Sequence, residues 1–317
     1  MNREVQPVLQ AIQEIKKAVI GKDDCIVKIM TAILAGGHIL IEDIPGVGKT
    51  TMALAFSRAL GLRQNRIQFT PDVLPSDVVG FSMYQKSTGK FEYQPGAVMC
   101  NLLLADEINR TSPKTQSALL EVMEEGKVTV DHVTRELPKP FVVIATQNPS
   151  GTAGTQPQPE AQVDRFMINL SLGYPDFESE LSMAKSIGEE DRLSVLTPLL
   201  SGRELKALQE EVCQVYIKEE LYRYLLKLVT ATREHPYIRR GASPRATIAL
   251  VKMARACAWI AGRDYVIPSD ISRQFPYVIG HRILLKPQTA AEGISREEIL
   301  KEILAQVRKP SMGDGKK

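Results

Sequence analysis

The stretch Glu42–Thr51, EDIPGVGKTT, decides how the rest of the chain is read. Gly48, Lys49 and Thr50 match the end of the general phosphate-loop pattern G-x-x-x-x-G-K-[ST]. In that pattern backbone amides surround phosphate oxygens, the lysine faces the outer phosphates and the hydroxyl reaches magnesium. An apolar run, GHILIED, leads in and a helical pattern, TTMALAFSRALGL, leads out, so the loop has the strand-to-helix setting it needs. A helix beginning near Lys49 adds free amides and the positive end of its dipole. Asp43 stands where the pattern opens with glycine. Aspartate visits left-handed backbone more readily than most residues and can hydrogen-bond its own turn. The amides of Gly46, Val47, Gly48 and Lys49 are untouched, so the loop is expected to hold phosphate, with the acidic Asp43 a source of weaker affinity.

Outward from the loop, GHILIED, RIQFT, NLLLADE, FVVIATQNP and FMINLSLGYP read as five strands, mostly continuously apolar. Such runs suit strands covered on both faces, as in a parallel sheet. TTMALAFSRALGL, closed by Gly61, and SPKTQSALLEVMEEG, with Ser112 as cap, Pro113 in the first turn and Gly126 past the end, read as crossover helices. The fold class is α/β, doubly wound. Two insertions interrupt the alternation. Residues 71–98 are rich in Pro and Gly and longer than a plain loop, and KVTVDHVTREL alternates like a hairpin.

From about Pro175 the pattern turns helical. Capping boxes are expected at Ser201 with Glu204 and at Ser295 with Glu298, and Ser243 is expected to cap a helix opening at Pro244. These define a small all-α second domain. The expected division is 1–187 for the sheet domain, 188–308 for the helical domain and 309–317 for a disordered basic tail.

With 317 residues, 44% of them hydrophobic, the chain can fill about two cores. The longest weakly polar run, IMTAILAGGHILI, is broken by Gly36, Gly37 and His38 and is too short to span a membrane. The N-terminus lacks an apolar signal core and a small-residue cleavage site, so a cytoplasmic location is expected. Cys25, Cys100, Cys213 and Cys257 are scattered, as are the four histidines, so reduced and mostly buried thiols are expected rather than a disulfide framework or a metal held by His or Cys. The net charge of +3 is matched by the last ten residues, where four basic side chains face Asp314. The totals therefore hold no broad basic face for nucleic acid, which is not an expected partner.

The remaining polar residues at strand ends suit phosphoryl transfer. NLLLADE ends in Asp106 and Glu107: the first can hold magnesium, the second can polarise an attacking water. Asn148, ending VVIATQN, can orient water or a γ-phosphate oxygen; alone it would read as a turn residue before Pro149. Arg165 in AQVDRF lies against the fifth strand, where an unpaired guanidinium is costly to bury, and is expected to point outward at an anion. Arg245 in GASPRA lies in the first turn of a helix, where the dipole disfavours a cation; an external phosphate explains it, and a salt bridge to the sheet domain is the alternative. No N-K-x-D segment appears, which disfavours a GTPase, and a glutamate beside the magnesium aspartate favours water over a bound hydroxyl as nucleophile.

Taken in order, GGHILIEDIPGVGKT, LLLADEINRTSPKTQSALLEVMEE, VIATQNP, EAQVDRF and GASPRA resemble the MoxR family of AAA+ ATPases, over nearly the whole chain. The family's usual pattern tolerates an acidic residue at the place of Asp43. The resemblance implies a P-loop NTPase domain with core-strand order 5-1-4-3-2, a helical lid, ATP and Mg2+ as cofactors, and a ring, commonly a hexamer, with ATP between subunits. Matched motif by motif, Gly46, Val47, Gly48, Lys49, Thr50 and Thr51 form the Walker A loop. Asp106 and Glu107 form the Walker B pair, with Thr50 and Asp106 on the metal. Asn148 matches sensor one, Arg165 the arginine finger and Arg245 sensor two. Residues 71–98 match the helix-two insert and 127–137 the hairpin before sensor one. Ile20 and Gly21, in AVIGKDD, fall where relatives contact adenine.

The resemblance also implies a chaperone-like role, including metal-cofactor insertion, on a protein client, with a partner carrying a von Willebrand factor A domain. The alternatives are a motor acting on nucleic acid, for which Lys127, Arg135 and Lys139 on the hairpin offer slight support, and a nucleotide-switched binding module with negligible turnover.

Overall fold

The computed structural model describes residues 5–44, 46–148, 160–185 and 192–310. Two helices, α1 (Val5–Ala18) and α2 (Asp23–Leu34), precede β1 (Ile39–Glu42), α3 (Lys49–Ala59) and β2 (Gln64–Gln68). The first insertion forms a short helix and a hairpin: α4 (Pro75–Val79), β3 (Gly80–Gln85) and β4 (Lys90–Pro95). Then come β5 (Leu102–Asp106), α5 (Pro113–Glu125), the hairpin β6 (Lys127–Val130) and β7 (Val133–Glu136), β8 (Val142–Gln147), α6 (Glu160–Val163), β9 (Ile168–Leu170) and α7 (Phe177–Lys185). The C-terminal region holds α8 (Gly202–Gln214), α9 (Glu219–Glu234), β10 (Ile238–Arg240), α10 (Pro244–Ile260), α11 (Pro268–Ile279), β11 (Leu284–Leu285), α12 (Pro287–Ala291) and α13 (Arg296–Gln306).

The central sheet runs β2-β5-β8-β1-β9, all parallel. Counting core strands alone, this is the order 5-1-4-3-2 read from the other edge. Alternate residues of β1, β5 and β8 enter different cores, as strands covered on both faces must. Ile39, Ile41, Leu102, Leu104, Val142 and Ile144 pack on the face of α1–α3, whereas Leu40, Leu103, Ala105, Val143 and Ala145 pack on the face of α5 and the insertions. The first core continues without a break into α8–α11 and α13. The helical lid is thus fastened to the sheet by shared apolar packing.

Local signals account for most element ends. Ser112 Oγ accepts from the Thr115 amide, Gly126 closes α5 in left-handed backbone (φ 65°), and both expected capping boxes form. Ser243 departs from expectation: it occupies the N-cap position of α10 but caps no amide, because its hydroxyl donates to Asp164 instead. The fifth strand is also shorter than its apolar run suggests. It stops at Leu170 because Ser171 and Gly173 (φ 63°) turn away to bind Asp43. The lid is helical apart from the two-stranded ribbon β10–β11, whose strands are too short and polar to show a period. Cys100 is buried, Cys25 and Cys257 are partly so and Cys213 is exposed, so the thiols are less buried than expected. The boundary expected at 187/188 and residues 311–317 of the expected tail lie outside the described residues. Among the described residues no helix is long and apolar enough to cross a membrane.

Candidate functional site

At the C-terminal end of β1 the chain turns through Gly46 (φ 87°) and Gly48 (φ 89°) into α3. A Cβ at either glycine would meet no atom within 4 Å, so conformation rather than crowding demands glycine there. The first helical bond of α3 joins the Met52 amide to the Gly48 carbonyl, which leaves the Lys49, Thr50 and Thr51 amides at the open helix end. Val47 packs against the core and fixes the loop from below.

Lys49 is buried and folds back on its own loop, with Nζ 2.6 Å from the Asp43 carbonyl, 3.3 Å from that of Ile44 and 3.5 Å from Asn148 Oδ1. Burial lowers its pKa, against the pull of Asp43, Asp106 and Glu107.

Asp43 has no left-handed backbone, the first of the two reasons for which aspartate was expected to suit the position, but it does hydrogen-bond its own turn, the second. Its side chain does the work. Oδ1 accepts from the Ile44 amide at 2.8 Å, and Oδ2 accepts from Ser171 Oγ at 2.9 Å and the Gly173 amide at 2.6 Å. Burial alone would raise its pKa, yet these donors hold it below the usual carboxylate range. The carboxylate is therefore spent on the segment after β9. Lys22 binds the same segment from the other side, donating to the carbonyls of Leu172, Gly173 and Tyr174 at 2.8–3.0 Å. Ile20 and Gly21, in the turn before Lys22, are thereby fastened at the phosphate-loop end of the sheet; a Cβ on Gly21 (φ 69°) would lie 2.3 Å from Ser179 Oγ.

The acid pair at the end of β5 is held by Thr146, a residue the sequence reading missed. Its Oγ1 donates to Asp106 Oδ1 and accepts from the Glu107 amide at 2.9 Å. The available signal was a hydroxyl in an otherwise apolar buried strand, two positions before Asn148. Asp106 Oδ2 also pairs with Arg66 at 2.9 Å. Glu107 lies in left-handed backbone (φ 56°, ψ 49°), a conformation that costs a side-chain-bearing residue roughly 1–3 kcal/mol and is typical of sites under functional constraint. Its Oε1 accepts from Asn148 Nδ2 at 3.2 Å and Oε2 pairs with Arg110 at 3.0 Å. Asn148 thus sits between Lys49 and Glu107, carbonyl oxygen toward the ammonium and amide nitrogen toward the carboxylate, as the charges require. No group of three or more His, Cys, Asp or Glu converges among the described residues. A nucleotide-bound magnesium needs only one or two carboxylates beside phosphate oxygens, so the Asp106 carboxylate and Thr50 hydroxyl suit it as hard oxygen donors.

Arg165 and Arg245 are elsewhere. Arg165 Nε donates to Glu124 Oε2 at 2.9 Å and Arg245 Nη2 donates to Glu124 Oε1, on the last turn of α5. The first expectation, an anion for Arg165, is met within the chain; for Arg245 the salt bridge to the sheet domain is the observed alternative. The hydrogen bond from Arg165, more than the nearby Arg245 charge, holds the Glu124 carboxyl below its usual range. Both arginines line a cavity of about 300 Å³ with Gly37, His38 and Lys252. Gly37 and His38 precede β1, whereas the phosphate loop follows it. At about 3.3 Å per residue, His38 and Asp43 are separated by roughly 16 Å. The six residues expected at one reaction centre therefore form two clusters at opposite ends of β1.

Residues 38–168 match the family described as ATPase family associated with various cellular activities (AAA), and residues 230–303 match the AAA lid domain. The chain is 47% identical to the uncharacterized protein YeaC of Bacillus subtilis, over 97% of this chain and 96% of that one. It is 38% identical to the chaperone MoxR1 of Mycobacterium tuberculosis, over 98% and 84% of the two chains. A crystal structure of a candidate ATPase from Cytophaga hutchinsonii superposes with a TM-score of 0.90 at 40% identity, covering 97% of this chain and 96% of that one. With a phosphate loop, an acid pair and a polar strand end set on this sheet, and relatives of that likeness along the whole chain, the protein belongs to the MoxR family of AAA+ ATPases.

Proposed function

We propose that this ATPase splits ATP at sites completed by a neighbouring copy, in a ring of the hexameric kind, and uses the turnover to remodel protein complexes as a chaperone. One observation carries the reading. Lys49, Asp106, Glu107 and Asn148 sit at one end of β1, and Arg165 and Arg245 sit at the other, too far away to meet the same terminal phosphate within one chain. Side-by-side packing of copies would bring the arginine end of one to the loop end of the next.

In this reading the amides of Gly46–Thr51 and the Lys49 ammonium hold the phosphates, and Lys49 exchanges its loop carbonyls for phosphate oxygens. Magnesium, when bound with the nucleotide, would be held by Thr50 and Asp106 and would neutralise phosphate charge. Glu107 polarises the attacking water, Asn148 keeps Glu107 and Lys49 in register, and the turn bearing Ile20 and Gly21 flanks the adenine. Arg165 and Arg245 of the neighbour offset charge growing on the terminal phosphoryl oxygens. Residues 1–187 serve as the nucleotide domain, 188–308 as the lid and 309–317 as a basic tail.

A protein client is favoured over nucleic acid. The β3–β4 hairpin presents Phe81, Met83, Tyr84 and Phe91 to solvent. The basic residues of the second hairpin are engaged: Lys127 with Glu125, Lys139 with Glu136, and Arg135 over the Tyr93 ring at 4.0 Å. The relative named a chaperone supports the same choice; the proposal extends, on the sequence resemblance alone, to metal-cofactor insertion, a partner with a von Willebrand factor A domain and a cytoplasmic setting. Turnover per subunit, measured against protein concentration, tests the shared site: it should rise steeply through the assembly range, and a flat profile sinks the proposal. Glu107→Gln should bind ATP without splitting it; used as bait in the source cells it should retrieve protein, and retrieval of DNA would favour the nucleic-acid motor.

A further inference from the structure

Asp164, directly before Arg165, is bound by two parts of the lid. Its Oδ1 accepts from Arg282 Nε at 2.7 Å and its Oδ2 accepts from Ser243 Oγ at 2.8 Å. Arg282 is almost wholly buried, with its side chain 3% exposed. Its other donors reach the carbonyls of Asp164 (3.0 Å), Phe166 (2.5 Å), Met167 (3.0 Å) and Val278. His281 Nε2 adds a bond to the Phe166 carbonyl at 3.0 Å. The segment that carries Arg165 is thus gripped along its backbone by the lid.

The Ser243 hydroxyl gives this cluster a purpose beyond packing. A serine at an N-cap normally accepts from an amide of its own helix. Here it leaves those amides and donates to Asp164, two residues before Arg245. One carboxylate therefore fixes the roots of both arginines, while Glu124 holds their tips. A buried ion pair by itself says little about stability, because desolvation offsets its attraction. The arrangement does set the distance between two guanidinium groups that come from segments eighty residues apart.

We infer that Asp164, with Ser243 and Arg282, is a positioning residue that ties Arg165 and Arg245 into one rigid unit presented to the neighbouring copy's nucleotide. The inference rests on the shared-site reading. Displacement of a group by about 1 Å at a reaction centre can cost on the order of 10²-fold in rate, so a root that wanders is costly even when its tip is intact.

Ser243→Ala tests this without removing a helix cap, since the hydroxyl caps nothing. Turnover, KM for ATP and thermal midpoint are compared for the wild type, Ser243→Ala, Ser243→Thr, Arg165→Ala and the Ser243→Ala/Arg165→Ala pair, at protein concentrations above assembly. Ser243→Ala should lower kcat by about ten- to a hundredfold with KM and thermal midpoint unchanged, Ser243→Thr should restore it, and the pair should be no slower than Arg165→Ala alone. Full turnover in Ser243→Ala beside a collapsed Arg165→Ala overturns the positioning role and leaves the shared site standing. A loss in Ser243→Ala that tracks the thermal midpoint, or that adds to the Arg165→Ala loss, also overturns it. Full turnover in Arg165→Ala overturns both readings.

Discussion

The two ends of β1 handle charge in opposite ways. At the loop end a buried lysine is solvated by carbonyls of its own turn, with three carboxylates nearby, and nearly every partner comes from a strand end of the same sheet. At the other end two half-exposed guanidinium groups share one carboxylate, and their supports come from α5, the segment before β9, α10 and the turn after α11. The first end is made by strand ends that the sheet brings side by side. The second is made by docking of the lid.

The sharpest way to break this contrast is Arg165→Ala. Arginines supplied across an interface are typically worth on the order of 10³ to 10⁵ in rate, so turnover should fall by that range while nucleotide affinity, read by titration, stays near wild type. Mixed into wild-type protein, the variant should depress turnover by more than its share; simple dilution would contradict the division of labour. Thr146→Val is the loop-end counterpart. It leaves Asp106 Oδ1 without its donor and the Glu107 amide without an acceptor, at a cost of about 1–3 kcal/mol in denaturant stability, and it should lower kcat about tenfold or more through a loosened acid pair.

The last effect concerns pH. His38 lies partly buried at the arginine end, its Nε2 donating to the Met123 carbonyl and its Nδ1 accepting from the Val143 amide. Burial pushes its pKa down to about 4 from an unfolded 6.5, only partly opposed by the Met123 carbonyl. A depressed folded value means that its share of stability is complete above pH 6.5 and is lost as pH falls from 6.5 toward 4, on the order of 3 kcal/mol in all. Denaturant midpoints at pH 7 and pH 4.5 should show a smaller drop for His38→Gln than for the wild type.

The same contrast explains what the sequence disclosed. The order of the sheet was implied by the family resemblance alone, whereas strands, crossover helices and the loop glycines were legible because each follows from a short stretch: apolar runs, a cap, a turn. Asn148 alone read as a turn residue before Pro149 and stood out only beside the other motifs, whereas Asp106 and Glu107 were legible for the same reason, standing at a strand end. Thr146 was not, since a hydroxyl inside an apolar run carries no sign of its two neighbours. Arg165 and Arg245 stood out singly as cations in awkward places, but nothing in either stretch says that Glu124 joins them or that Asp164 anchors both. Those links join residues 41 to 121 positions apart, and those made by Arg245 and Arg282 exist only after the lid has packed.

Asp43 reverses an ordinary engineering instinct. Restoring the glycine that the general pattern prescribes would look like a repair, yet it would strip three donors of their acceptor and cut the phosphate loop loose from the turn that Lys22 also grips. In this chain the apparent defect is the fastening, and making the loop conform is a route to a weaker pocket.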